Sequence, residues 1–99
     1  MIYNEYMSMH MNYPLPPDDP RLQAPALLTY FIGRRRAILH LSIDEAARLS
    51  GLELSQWFAL EAGWMPEDRL DIQAIAATLE VPEEDIQSFV DMHRLQQAG

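Results

Sequence analysis

Three residues in the middle of the chain, Ser42, Gly51 and Gly63, constrain its fold more than any other feature. Ser42 is followed three residues later by Glu45, the pattern of a capping box in which two side chains satisfy orphan backbone N–H groups at a helix start. Gly51 admits the left-handed backbone that ends one helix and turns the chain into the next. Gly63 ends a further segment, and Pro66 prevents its continuation. Helices in this stretch are therefore short, and they gain stability by packing on one another rather than by length.

Apolar residues at three- and four-residue spacing place five helices around these breaks, with no strand-like alternation after Pro25. Helix one begins near Ala26, carries Leu27, Leu28, Phe31, Ile32 and Ile38 or Leu39 on its apolar stripe, and bears Arg34, Arg35 and Arg36 near its end. Helix two buries Ile43, Ala46, Ala47 and Leu49. Helix three runs from Glu53 or Leu54 to Ala62 and turns Leu52, Trp57 and Leu60 inward. Helix four, from Glu67 or Asp68 to Leu79, opens with acids that suit its positive end and has Leu70, Ile72, Ile75, Ala76 and Leu79 as its core face. Val81-Pro82-Glu83 opens a fifth helix with Ile86, Phe89, Val90 and Leu95 inward, and residues Gln96 to Gly99 are expected to fray.

Residues 1–25 differ from the rest. They hold five of the seven prolines, four of the six methionines and three of the four tyrosines. Proline lacks a backbone donor and disfavours helix in the residue before it, so Tyr13 to Pro20 is expected to be extended, as an N-terminal arm. A chain of 99 residues then holds one domain, over residues 26–95.

Hydrophobic residues at 48% and charged residues at 22% are those of a folded globular protein. The sequence has no apolar run approaching the ~20 residues of a membrane helix, and no basic-then-apolar leader, so a cytoplasmic location is expected. The absence of cysteine removes disulfides, thiolate nucleophiles and Cys-ligated metals. His10, His40 and His93 are widely separated and form no metal-binding spacing, and no nucleophile and base can be paired, so neither a cofactor nor an enzyme activity is expected. Fifteen acids against seven bases, all arginine, give a formal charge of −8. This is the wrong sign for non-specific attraction to nucleic acid unless the bases gather on one face.

The order of a small-residue second helix, a glycine turn and a third helix is that of a helix-turn-helix. Arg34-Arg35-Arg36, then Leu41-Ser42-Ile43-Asp44-Glu45-Ala46-Ala47-Arg48-Leu49-Ser50-Gly51-Leu52, then Leu60-Glu61-Ala62-Gly63, make residues 26–90 resemble the Xre-type, or Cro and phage-repressor-like, domain. The resemblance implies an all-α, five-helix lambda-repressor-like helix-turn-helix bundle with an extended N-terminal arm. It also implies an ion pair between a first-helix arginine, for which Arg36 is favoured, and Glu61. Successive helical residues point about 100° apart, so the arginine triplet does not share one face.

On this resemblance the chain is expected to be a transcriptional regulator of duplex DNA that acts as a homodimer. Arg34, Arg35 and Arg48 would meet phosphates, and Leu54, Ser55, Gln56 and Ala59 would meet bases. The departures lie in the same region. Ile43 stands where the family carries a phosphate-binding glutamine, and Glu53 opens helix three with an acid. The alternative is a domain turned to a protein partner, such as an antirepressor, a co-regulator or an inhibitor that mimics DNA, with Glu53, Trp64, Met65 and Phe89 at the interface. Trp57 reads as core, and Trp64 equally as packing or interface. The apolar fifth helix (Ile86, Phe89, Val90, Met92) and the arm supply the material for a homodimer.

Overall fold

A computed structural model of the protein describes residues 19–98, and these contain five α-helices and no strand. A short 3-10 turn, Pro20–Leu22, leads into α1 (Ala24–Ile38), α2 (Ile43–Ser50), α3 (Leu54–Leu60), α4 (Arg69–Leu79) and α5 (Glu83–Ala98). The fold is all-α, as the periodicity requires.

The helix ends follow from side chains visible in the sequence. Ser42 Oγ accepts from the Glu45 N–H at 3.0 Å and Glu45 Oε1 from the Ser42 N–H at 2.7 Å, completing the capping box of α2. Gly51, at φ 79°, donates its N–H to the Ala47 and Arg48 carbonyls and ends that helix. Gly63, at φ 113°, lets the chain fold back so that the Trp64 N–H reaches the Ala59 carbonyl at 2.8 Å. Asp68 caps α4 by accepting from the Leu70 N–H at 2.8 Å.

α1 and α5 pack against each other, α4 lies against α5 and α2, and α3 leans on α2. The enclosed core is Leu28 and Ile32 of α1, Trp57 and Leu60 of α3, Ile72, Ile75 and Leu79 of α4, and Ile86 and Val90 of α5. Phe31 and Phe89 close the α1–α5 seam with ring centroids 5.4 Å apart.

Several expectations are corrected. Leu70 is 72% exposed, because it lies two positions from Ile72 and hence on the opposite side of α4 from the Ile72, Ile75, Ala76 and Leu79 face. Leu95 stands opposite Ile86 and Val90 for the same reason and is exposed. Leu49 and Ile38 are exposed as well. Helix three ends at Leu60 rather than Ala62, with Glu61 as its cap.

The domain also begins earlier and ends later than expected. Pro20 sits in a 3-10 turn capped by Asp19 rather than in an extended segment, and Ala24 is fully buried. Gln96 does not fray. Its side chain accepts from the Ala24 N–H at 2.9 Å and donates to the Leu22 carbonyl at 3.1 Å, joining both ends of the domain. The expected extended conformation of Tyr13 to Asp18 and the fraying of Gly99 fall outside the described residues.

No helix among the described residues is long and apolar enough to cross a membrane.

Candidate nucleic-acid interface

Two helices joined by Gly51-Leu52-Glu53 present the surface on which the sequence places its recognition residues. Trp57 and Leu60 bury one side of α3, and Leu52 is buried in the turn. Residues at one and four positions' spacing on the other side then face solvent. Leu54, Ser55 and Phe58 are all exposed there, and Ala59 is half-buried beside them. Phe58, 54% exposed, was not singled out from the sequence. It lies about 100° around α3 from Trp57, on the side away from Leu60.

A network at the far end of α3 fixes its orientation. Glu61 accepts from Arg36 Nε at 2.7 Å and Arg36 Nη2 at 3.0 Å, and Trp57 Nε1 donates to the same carboxylate at 2.6 Å. Arg36 Nη1 donates further to the Leu41 carbonyl at 3.0 Å, so one guanidinium binds α1, the α1–α2 connection and α3 together. The Glu61 carboxylate beside Arg36 pushes that guanidinium's pKa above its ordinary value. The expected pairing of Arg36 with Glu61 is present, and Trp57 is core with its single polar atom satisfied.

The remaining arginines divide sharply. Arg35, expected at phosphates, donates from Nε and Nη2 to the Leu79 carbonyl at 3.2 and 3.0 Å. It caps the negative end of α4 and is withdrawn from the surface it was assigned to. Arg21 pairs with Asp19, Arg69 with Glu83 and Arg94 with Asp91. Among the described residues only Arg34 and Arg48 are cations with no acidic or carbonyl partner, and both are exposed. They stand on different helices, α1 and α2.

Gln56 is likewise partly committed. Its Oε1 accepts from the Glu53 N–H at 2.9 Å, capping the start of α3, which leaves the side-chain amide N–H groups as its remaining donors. Ser55 is exposed with no such engagement.

The residues assigned to a protein interface do not form one patch. Met65 is only 8% exposed and belongs to the core, because the turn at Gly63 folds it back under the helices. Phe89 packs at a tilt against Phe31 in the α1–α5 seam. Ile86 and Val90 are buried within the domain itself and offer nothing to a second copy. Trp64, 37% exposed, lines a shallow depression of about 500 Å³ with Pro25, Glu67, Asp68, Asp71 and His93.

No protein-family model, curated protein or solved structure matches the chain. The functional reading therefore rests on the residues themselves and on the resemblance drawn from them.

Proposed function

We propose that α2, the Gly51 turn and α3 are the helix-turn-helix of an Xre-type, lambda-repressor-like domain, and that the protein regulates transcription by laying α3 in the major groove of duplex DNA. The observation that supports this reading is the Arg36–Glu61–Trp57 network. It holds α3 by its carboxy end while Leu54, Ser55, Phe58 and Ala59 remain outside the core. A helix held at one end with its opposite face free is the mechanical requirement for reading base edges.

The chemistry of that face sets the mode of recognition. Ser55 offers a hydroxyl to base edges, and the Gln56 amide adds donors. Leu54, Phe58 and Ala59 offer apolar contact to thymine methyl groups. Arg48 is the phosphate ligand that remains: Arg35 holds the Leu79 carbonyl, and Arg34 lines the α1–α5 seam, off the Thr29, Gly33 and Arg36 face of α1 that meets α3. One phosphate neutralised per domain predicts a shallow salt dependence, a slope of about −1 in log K against log salt. Affinity then comes from the apolar face more than from charge.

A second reading is favoured by one specific observation: five of the seven arginines are held by acids or a carbonyl, while Leu54 and Phe58 are open to solvent. That combination suits a protein partner. One experiment separates the two. Selection from random duplex DNA at low salt, repeated with the folded Arg48→Ala and Phe58→Ser variants, enriches a motif that both variants weaken if α3 reads DNA. Failure to enrich any motif, from protein with a native circular-dichroism spectrum, rejects the DNA reading and leaves the Leu54–Phe58 face for a protein.

A further inference from the structure

An apolar groove runs along the α1–α5 seam, away from α3. Leu27, Tyr30, Phe31, Arg34 and Ile38 of α1 and Phe89 of α5 line it, and its volume is about 360 Å³. Tyr30 is 68% exposed and Ile38 54% exposed, so the groove's upper wall presents large apolar side chains to water.

The chain preceding Asp19 is the candidate to cover it. Met7, Met9, Met11, Tyr13 and Leu15 alternate with Ser8, His10, Asn12 and Pro14. In an extended backbone, successive side chains point to opposite sides, so this alternation would put five apolar side chains on one face and the polar residues on the other. The described chain starts at Asp19, and Gln96 pins Leu22 and Ala24 to the last turns of α5. The segment thus leaves the domain at the α1–α5 seam. Leu27 lies less than one helical turn beyond Ala24, at the end of the groove nearest that exit.

The lengths agree. From Leu27 to Ile38 the groove follows eleven helical steps, about 16 Å. Met11 to Leu15 extended spans about 13 Å, and Pro16 to Asp18 supplies about 9 Å of slack to turn back from Asp19. Met side chains suit a groove walled by Tyr30, Phe31 and Phe89, because a flexible thioether fills irregular space and interacts favourably with ring edges.

We propose that residues 11–15 of this chain dock, extended, in the α1–α5 groove of the same molecule, with Leu15 nearest Leu27, Tyr13 against Phe31 and Phe89, and Met11 nearest Ile38. The docked segment covers the apolar part of α1 that a second copy would otherwise meet, and it leaves α3 uncovered.

The chain has no cysteine, so a single introduced thiol carries a unique nitroxide label. With the label at Asn12→Cys, on the polar side of the segment, the full-length protein should show strong paramagnetic broadening at the Leu27, Phe31 and Ile38 resonances and little at Leu49 or Leu54. Adding Met11→Ser and Tyr13→Ser, or separately Ile38→Asp at an exposed position that the fold does not need, should remove that broadening several-fold. Broadening spread evenly over the surface, or unchanged by these substitutions, would overturn the proposal. So would broadening of an unlabelled, isotope-enriched copy mixed with the labelled one, which would assign the groove to a second molecule.

Discussion

Glu61 receives both Arg36, at 2.7 Å, and the Trp57 indole, at 2.6 Å, on the same carboxylate oxygen. Arg36 and Glu61 are mostly buried, with side-chain exposures of 23% and 14%, so removing either leaves a poorly hydrated charge without its partner. Arg36→Ala is expected to cost about 2–3 kcal/mol in denaturant unfolding. Arg36→Lys should restore little, because an ammonium cannot present two parallel donors to Glu61 and a third to the Leu41 carbonyl. A double-mutant cycle between Arg36→Ala and Glu61→Ala that gives no coupling would show that the pair does not hold α3.

The cap of α2 makes a prediction in pH. The Ser42 backbone N–H, and secondarily its hydroxyl, hold the Glu45 carboxyl below its ordinary value of 4.5. A depressed folded pKa means stabilisation that is complete above 4.5 and lost as pH falls through the lower, folded value. Carboxyl carbon shifts should therefore report Glu45 titrating below 4.5, and Glu45→Gln should remove this contribution to acid sensitivity. Because the backbone donor is the larger cause, Ser42→Ala should leave Glu45 still depressed. Ser42→Ala itself should destabilise the domain by about 1 kcal/mol through loss of the helix cap.

Glu80 is a site where substitution should stabilise. It ends α4 at φ 57° and ψ 45°, a left-handed conformation that costs a residue with a Cβ about 1 kcal/mol. Its charge also faces the negative end of the helix. Glu80→Gly relieves both and should raise Tm by about 4–8 °C for each kcal/mol gained in a domain of this size. Glu80→Ala removes only the charge. Equal gains from Gly and Ala in thermal unfolding would place the whole effect in electrostatics and none in the backbone.

Gln96 closes the domain through the buried Ala24 N–H and the Leu22 carbonyl. Gln96→Ala leaves that N–H without a partner and should cost about 1–3 kcal/mol. The loss is local, so hydrogen exchange should quicken at the start of α1 and the end of α5 before it does at Trp57 or Ile75. Uniform acceleration across the domain would mean that the two ends are not a separate unit.

Much of the fold was legible because its signals are local. The capping box at Ser42, the breaks at Gly51 and Gly63, and the spacing of Ile72, Ile75 and Leu79 each act within one or two helical turns. The surface was less legible. Arg35 was assigned to phosphate, yet it serves a carbonyl 44 residues away, and Met65 was assigned to an interface, yet it is core. A side chain's neighbours across the fold decide such cases, and residue type does not.

The sequence by itself determined the number and order of the helices after Pro25, the inward placement of Trp57 and Leu60, and a net charge of −8, because propensity, capping and periodicity are properties of neighbouring residues. Only the tertiary structure decided which arginines are spent and which are free, and that Gln96 ties the chain's end to its beginning. These are long-range pairings, and a donor finds its acceptor only once packing has brought the two elements together.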